Sequence, residues 1–222
     1  MRLVLIGPPG SGKGTQAERL TERLHLRYIG TGGILREAIR QGTPYGKIAE
    51  PILKAGKLVS DEMVNRLVMD LFDSPSPPVD FVLDGYPRTI AQARWFDEYL
   101  ASRHIYIDAA IEFTIADEAV VSRIAGRRIC SNAACGASFH TLARPPRVAG
   151  VCDVCGSPLT QRADDLEETV RSRLQVYHDT ADAIVEHYDR MGLLRKIATN
   201  GSPDQIYARV LTALNLDPSK DH

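Results

Sequence analysis

The nine residues Gly7-Pro8-Pro9-Gly10-Ser11-Gly12-Lys13-Gly14-Thr15 constrain this chain more than any other stretch. The apolar run Leu3-Val4-Leu5-Ile6 leads into them, and Gln16-Ala17-Glu18-Arg19-Leu20 reads as helix after them. Strand, glycine loop and helix in that order form a phosphate cradle. Backbone N–H groups ring the anion and the helix N-terminus adds its positive pole. Glycines are required because a Cβ would block the turn or hold the phosphate off the backbone. Lys13 places a point charge on the outer phosphates, and a hydroxyl can reach magnesium. Gly10, Ser11, Gly12, Lys13, Gly14 and Thr15 are thus the candidate ligands of a nucleotide's phosphates. One irregularity stands out: the general pattern puts Ser or Thr directly after the lysine, whereas here Gly14 intervenes.

A chain of 222 residues can bury one good core and carry a small extra domain. The formal net charge of -1 argues against a polyanion-binding surface, so phosphate recognition must come from local arginine clusters. No apolar stretch is long enough to cross a membrane, and Met1-Arg2 runs directly into a strand without a signal peptide. The expected compartment is the cytoplasm, with no membrane or nucleic-acid partner. All four cysteines lie between 130 and 155, a clustering that favours metal over disulfides in such a chain.

Hydrophobic periodicity predicts alternating strands and helices. Leu26–Ile29 reads as a second strand and Thr31 as the N-cap of a helix over Ile34–Arg40. Pro44 suits the first turn of the next helix, which Gly56 stops, and Ser60-Asp61-Glu62 begins another. Phe81-Val82-Leu83 is a buried-type strand ending on Asp84. Thr89–Leu100 is helical, Ile105–Phe113 a strand, and Asp117 to about Arg127 a helix. From Ile129 to about Gln161 the pattern breaks. A long helix follows, with Leu166, Val170, Leu174, Tyr177, Ala181, Ile184 and Tyr188 on its apolar stripe. Leu193–Ala198 and Pro203–Leu214 close the chain as strand and helix. The order implies an α/β fold: a doubly wound parallel sheet flanked by helices, with ligands at the carboxyl ends of its strands. Residues 1–29, 61–125 and 164–222 form its core, 30–60 a helical insertion, and 126–163 a small ribbon-like lid.

Three groups of residues carry chemistry. Asp84 heads Asp84-Gly85-Tyr86-Pro87-Arg88; beside a phosphate loop such a carboxylate can hold magnesium through its waters, though a strand-end aspartate can also simply cap a turn. Arg123 and Arg127 fall four apart on one predicted helix, and Arg173 falls within the apolar stripe of Leu166, Val170 and Tyr177 while Arg171 does not. Arginine on a buried face needs an anion, a salt bridge being the alternative to phosphate. Together Arg36, Arg88, Arg123, Arg162 and Arg173 exceed structural need. Third, Cys130-x4-Cys135 and Cys152-x2-Cys155 are separated by 16 residues, as in a tetrahedral zinc ribbon. The first pair is wider than usual, which makes Cys130 the least secure ligand; His140 reads as a structural hydrogen-bonding residue, with substitution for Cys130 as the alternative. Disulfides or free thiols are the competing states. A segment so poor in core residues needs a staple, so a metal here would be structural.

Taken together, these residues resemble the adenylate kinases, in the long form whose lid carries zinc. Gly-x-Pro-Gly-x-Gly-Lys-Gly-Thr is the loop of nucleoside monophosphate kinases. The likeness extends over Thr31-Gly32…Leu35-Arg36, Asp84–Arg88 with Gln92, Gly126-Arg127-Arg128, and Arg162-Ala163-Asp164-Asp165…Glu167-Glu168-Thr169. It implies reversible phosphoryl transfer from MgATP to AMP, giving two ADP, by a monomer. Carried over by position, Thr31, Arg36, Lys57, Val59, Gly85, Arg88 and Gln92 would form the AMP site, with Gln92 reading the adenine edge. Lys13 and the loop would hold ATP, Arg123 and Arg127 would serve the donor side, and Ser202 would meet the donor base through its backbone. Arg162 and Arg173 would close on the transferring group. Asp164 and Asp165 would pair with arginines on lid closure. The catalytic set is thus Lys13, Asp84, Arg88, Arg123, Arg162 and Arg173, with Cys130, Cys135, Cys152 and Cys155 on structural zinc. Gly33 stands where the family usually has Asp, removing a charge that could join lid to acceptor helix.

Other nucleoside monophosphate kinases remain the nearest rivals, and Gln92 with Thr31 favours AMP over UMP, CMP or GMP. A nucleic-acid module built on the cysteine ribbon lacks the basic surface it would need. A switch GTPase lacks an Asn-Lys-x-Asp base-reading motif.

Overall fold

The computed structural model describes residues 1–218; the last four residues of the expected core segment 164–222 lie outside the described residues. Strands β1 (Arg2–Ile6), β2 (Arg27–Gly30), β3 (Phe81–Asp84), β4 (Ala109–Thr114) and β8 (Leu194–Ala198) form a five-stranded sheet in the order β2-β3-β1-β4-β8. Every pairing in it is parallel. The central strands are continuous apolar runs because helices cover both faces of a parallel sheet. The pleat sorts them. Val4 and Ile6 pack with Ile29, Leu83, Phe96 and Tyr188 on one face. Leu3 and Leu5 pack with Leu20, Val82, Ile111 and Val210 on the other.

Register is what gathers the chemistry. Leu5 and Gly30 both pair with Asp84, so β1, β2 and β3 end at one level. The glycine loop, Thr31 and Asp84 therefore leave the sheet from a single carboxyl edge, where ligands bind in open α/β sheets. Helix α1 (Lys13–Leu24) follows the loop, and α5 (Ile90–Ala101) follows β3 after Thr89 caps it by accepting from Gln92 N at 3.1 Å.

Between β2 and β3 the chain inserts α2 (Thr31–Arg40), α3 (Pro44–Lys54) and α4 (Asp61–Phe72). Thr43 caps α3 by accepting from Gly46 N at 3.0 Å, with Pro44 in the first turn as expected. Past β4, helix α6 (Asp117–Ala125) leads to a separate antiparallel sheet, β6-β5-β7, made of β5 (Arg127–Cys130), β6 (Ser138–His140) and β7 (Leu159–Thr160). A 3-10 turn at Ala163–Asp165 returns the chain to the long helix α7 (Glu167–Arg190), then β8 and α8 (Pro203–Ala213). Ser202 and Gln205 form a reciprocal capping box at the start of α8. Among the described residues no helix is long and apolar enough to cross a membrane.

Four local expectations are corrected. Thr31 is the first residue of α2 rather than its cap, because its hydroxyl donates to Gly85 O at 2.8 Å instead of turning back on its own helix. The fourth strand starts at Ala109; ahead of it Asp108 N donates to Arg2 O at 2.9 Å, but Ile105–Asp108 lie outside the paired ladder. Arg127 lies on β5, not on the helix carrying Arg123, which stops at Ala125 before Gly126. Leu166 is exposed at the N-cap of α7 and takes no part in its apolar stripe.

Two glycines of the insertion separate steric need from permissiveness. A Cβ on Gly46 would sit 2.1 Å from Ala38 O, so α2 and α3 touch backbone to backbone there. A Cβ on Gly33 would meet nothing within 4 Å. Gly46→Ala should lower the melting temperature, with a loss of about 1–3 kcal/mol from overpacking. Gly33→Ala should raise it, by up to about 1 kcal/mol of helix propensity. Thermal melts of the two variants check both signs.

Candidate active site

Steric need is strongest in the glycine loop. A Cβ on Gly7 would lie 2.8 Å from Phe113 O, and one on Gly10 would lie 2.6 Å from the Ile124 side chain. Gly10 and Gly12 also adopt positive φ, of 71° and 95°. Gly14 differs: a Cβ there would make only an ordinary 3.6 Å contact with Asp84 Oδ2. Ser11 is buried beneath the loop, Thr15 is exposed on α1, and α1 has no acidic residue in its first turn to oppose an anion. Lys13 folds back over the loop, its Nζ donating to Gly7 O at 2.6 Å and Pro8 O at 2.8 Å. Burial pulls its pKa down to about 8; Asp84 opposes that shift, and Arg88 and Arg173 add to it.

Asp84 and Gly85 join this loop to a second zone. Asp84 faces Gly14 and accepts from the Tyr28 hydroxyl at 3.1 Å. Gly85, at a φ of 81°, turns its carbonyl the other way, where it accepts from Thr31 Oγ1 and Arg88 Nε, each at 2.8 Å. Beyond it lies an open cavity between α2, the α3–α4 turn, the turn after β3 and α7. Arg36, Arg88, Arg173 and Asp164 contribute charge to its wall, Leu35, Leu53, Val59 and Val64 an apolar side, and Gln92 an amide. Thr31, Lys57 and Gly85 also line it, so seven residues expected to act together are brought to one cavity. Burial, then the neighbouring Arg173, pushes Arg88 down to about 10, which leaves its charge intact at neutral pH. Arg36 and Arg173 are lowered as well, burial again the first cause and Asp164 the opposing one.

Acidic partners hold the arginines apart. Arg173 Nη1 donates to Asp164 O at 2.9 Å and lies 3.2 Å from its Oδ2, while Arg36 lies 3.8 Å from the same carboxylate. Arg127 forms a two-pronged pair with the fully buried Asp165. The Arg162 guanidinium makes no hydrogen bond or ion pair with the described residues, and burial lowers its pKa. Arg123 stands apart from the cavity, donating to Thr199 O at 3.0 Å beside the β8–α8 loop that leads to Ser202. Arg171 is exposed and bound to Glu167 and Glu118, as its position outside the apolar stripe implied.

Tyr28 and Asp61 belong to this region and were missed from sequence. A Cβ on Gly30 would fall 2.6 Å from the Tyr28 hydroxyl oxygen, so the Tyr28-x-Gly30 spacing on one strand face clears the ring's path to Asp84. Asp61 carried no signal beyond starting a helix.

The four cysteines are free thiols whose sulfurs all lie within 4.8 Å of one another. Cys130 and Cys155 Sγ are 3.3 Å apart, and Cys135 and Cys152 Sγ 3.8 Å. A zinc tetrahedron with bonds of about 2.3 Å has sulfur–sulfur edges of about 3.8 Å, so the set fits a structural zinc, the widened first pair included. His140 stays outside: its Nδ1 accepts from Leu142 N and Ala143 N, and its Nε2 faces Ser122 O at 3.2 Å. Only Cys130, Phe139 and Cys152 are buried in this sheet's own core, with Cys135, Ala137 and Leu159 partly covered. So small a core leaves little but the sulfurs to hold the ribbon together.

The family model for adenylate kinase matches residues 5–193. The chain is 46% identical to an adenylate kinase of Streptomyces coelicolor over 217 residues, 98% of this chain and all of that protein. It is 44% identical to an adenylate kinase of Moorella thermoacetica over 217 residues, 98% and 99% of the two chains. With an adenylate kinase of Methanothrix thermoacetophila the identity is 40% over 215 residues, 97% and 99% of the two.

Two measurements follow. A triphosphate on the loop favours the ammonium form of Lys13, so binding above its pKa of about 8 should take up a proton and weaken as pH rises. Calorimetry in buffers of different ionisation heat should detect that uptake, and Lys13→Arg, which stays charged, should abolish it. Chelation of the metal, or Cys152→Ser, should lower the melting temperature and release cysteine-bound metal countable by a colorimetric chelator. Metal-free protein of unchanged stability would contradict a structural role.

Proposed function

The chain belongs to the adenylate kinase family and is a nucleoside monophosphate kinase; from that premise we propose that it transfers the terminal phosphoryl group of MgATP to AMP, reversibly, giving two ADP. The observation that carries this reading is the Asp84-Gly85 peptide. One residue faces the glycine loop and the next faces the arginine-lined cavity, so two anion sites share one wall. A single-nucleotide binder needs one such site. A charged end and an apolar end within one cavity suit the phosphate and base of a nucleoside monophosphate.

Phosphoryl transfer asks the protein for positioning and charge neutralisation rather than covalent chemistry. In this reading Lys13 and the amides of Gly10–Thr15 hold the donor's outer phosphates. Arg88 and Arg36 clamp the acceptor phosphate, and Arg173 and Arg162 add charge where negative charge spreads in the transition state. Arg123 and Arg127 serve the donor side, with the backbone near Ser202 against its base. Thr31, Lys57, Val59, Gly85 and Gln92 shape the acceptor pocket. Asp84 would hold the waters of the magnesium that enters with ATP, an ion that would supply neutralisation of phosphate charge. Asp164 and Asp165 exchange arginine partners as the segment 126–163 closes, excluding water that would otherwise hydrolyse the donor. Zinc held by Cys130, Cys135, Cys152 and Cys155 stiffens that segment. The enzyme acts as a cytoplasmic monomer in adenine nucleotide balance.

A coupled assay across AMP, UMP, CMP and GMP, with ATP and GTP as donors, tests the assignment. ADP formation should be fastest with ATP and AMP; a faster pyrimidine or guanine acceptor would sink it. Arg88→Ala should lower kcat by about 10³-fold or more at an unchanged melting temperature.

A further inference from the structure

Gln92 is 2% exposed, and its amide is held from both ends. Its Oε1 accepts from Arg88 N at 2.7 Å, and its Nε2 donates to Asp61 Oδ1 at 2.8 Å. The other oxygen of Asp61 accepts from Thr89 Oγ1 at 2.8 Å, and that hydroxyl in turn accepts from Gln92 N at 3.1 Å. Asp61 thus joins the first residue of α4 to the cap of α5 and to the amide that α5 projects toward the cavity.

The network decides which way the amide points. A backbone N–H can only donate, so the atom opposite Arg88 N must be the amide oxygen. A carboxylate offers acceptors, so the atom opposite Asp61 is the amide nitrogen. Rotating the amide by half a turn would set donor against donor at Arg88 and acceptor against acceptor at Asp61. With these two bonds made, Gln92 keeps one free N–H and one free lone pair, in a fixed order.

That order matches one kind of base edge. An adenine presents an acceptor at N1 beside a donor at N6, which takes the free N–H and the free lone pair. A 6-oxopurine presents a donor at N1 beside an acceptor at O6 and needs the amide reversed. We propose that Asp61 is a specificity-determining positioning residue, locking the Gln92 amide in the orientation that accepts an adenine edge and rejects a 6-oxopurine. The inference rests on the reading of this cavity as the AMP site. Asp61 touches no substrate itself; it acts through Gln92, and the flanking Val59 and Val64 supply the cavity's apolar wall.

AMP and inosine monophosphate differ at this edge alone, so they make the probe. Asp61→Ser removes the acceptor while keeping a residue suited to a helix start. It should raise the KM for AMP and cut the AMP-to-IMP preference in kcat/KM, each by about tenfold, the scale of one hydrogen bond to a charged group. Arg88 N still favours the native orientation, which keeps the loss from being total. The KM for ATP should not move. Asp61→Asn retains an oxygen facing Gln92 Nε2 and should restore most of the preference. A purely structural role would lower the melting temperature and the rates with AMP and IMP alike, leaving their ratio unchanged, and that result overturns the inference. If the parent enzyme makes no ADP from AMP, the acceptor reading falls, and this inference with it. A measurement on the parent protein stands independently of whether Asp61→Ser folds. The Gln92 Nε2 proton that faces Asp61 should exchange with solvent far more slowly than that of an exposed glutamine before AMP is added; exchange of both Nε2 protons at the exposed rate overturns the lock.

Discussion

Crowded positive charge at the carboxyl edge of the sheet is the constraint on which the rest depends. Burial first, and neighbouring positive charge after it, lowers proton affinity across this cluster: Arg88 and Arg173 act on Lys13, Arg173 and Arg36 on Arg88, and Arg127 and Arg162 on Arg173. Like charges in a half-buried cleft repel at several kcal/mol unless acids or ligands compensate. The fold supplies the acids sparingly. Asp84 answers Lys13, Asp164 is shared by Arg36 and Arg173, and Asp165 is committed to Arg127. The remaining positive potential is what a polyphosphate substrate neutralises. A near-neutral chain can therefore hold a strongly cationic site without a cationic surface.

Holding such a cluster requires a rigid frame, and the buried sheet provides it. Val82, Leu83 and Phe81 are fully buried, so Asp84 leaves β3 from a fixed point. The ribbon of β5, β6 and β7 is built on the opposite principle. It has little core of its own and joins the frame through few contacts, among them His140 against Ser122 O and the Arg127–Asp165 pair. The four clustered sulfurs lie within that small core, while the ribbon's attachment to the frame stays slight.

Much of this was legible in the sequence because local patterns carry it. The glycine loop, the strand ending at Asp84, the helix break at Gly56, and the inward placing of Arg173 against outward Arg171 all follow from spacing and turn chemistry. The misreadings share one cause. Thr31 looked like a cap and Arg127 looked helical because each was judged by its neighbours in sequence. A partner distant in the chain decided both: Gly85 O for Thr31, and Asp165 with the β5 pairing for Arg127. Asp61 and Tyr28 escaped for the same reason.

By itself the sequence determined the kind of chemistry: a phosphate cradle, surplus buried arginines and a cysteine ribbon are written in residue type and interval, which short-range geometry suffices to interpret. Only the tertiary structure decided how these parts meet. The shared register of β1, β2 and β3 set the loop and the cavity on either side of one peptide, and packing of α4 against α5 brought Asp61 to Gln92. Such contacts join residues far apart in the chain, and their geometry depends on how the whole core closes rather than on any local pattern.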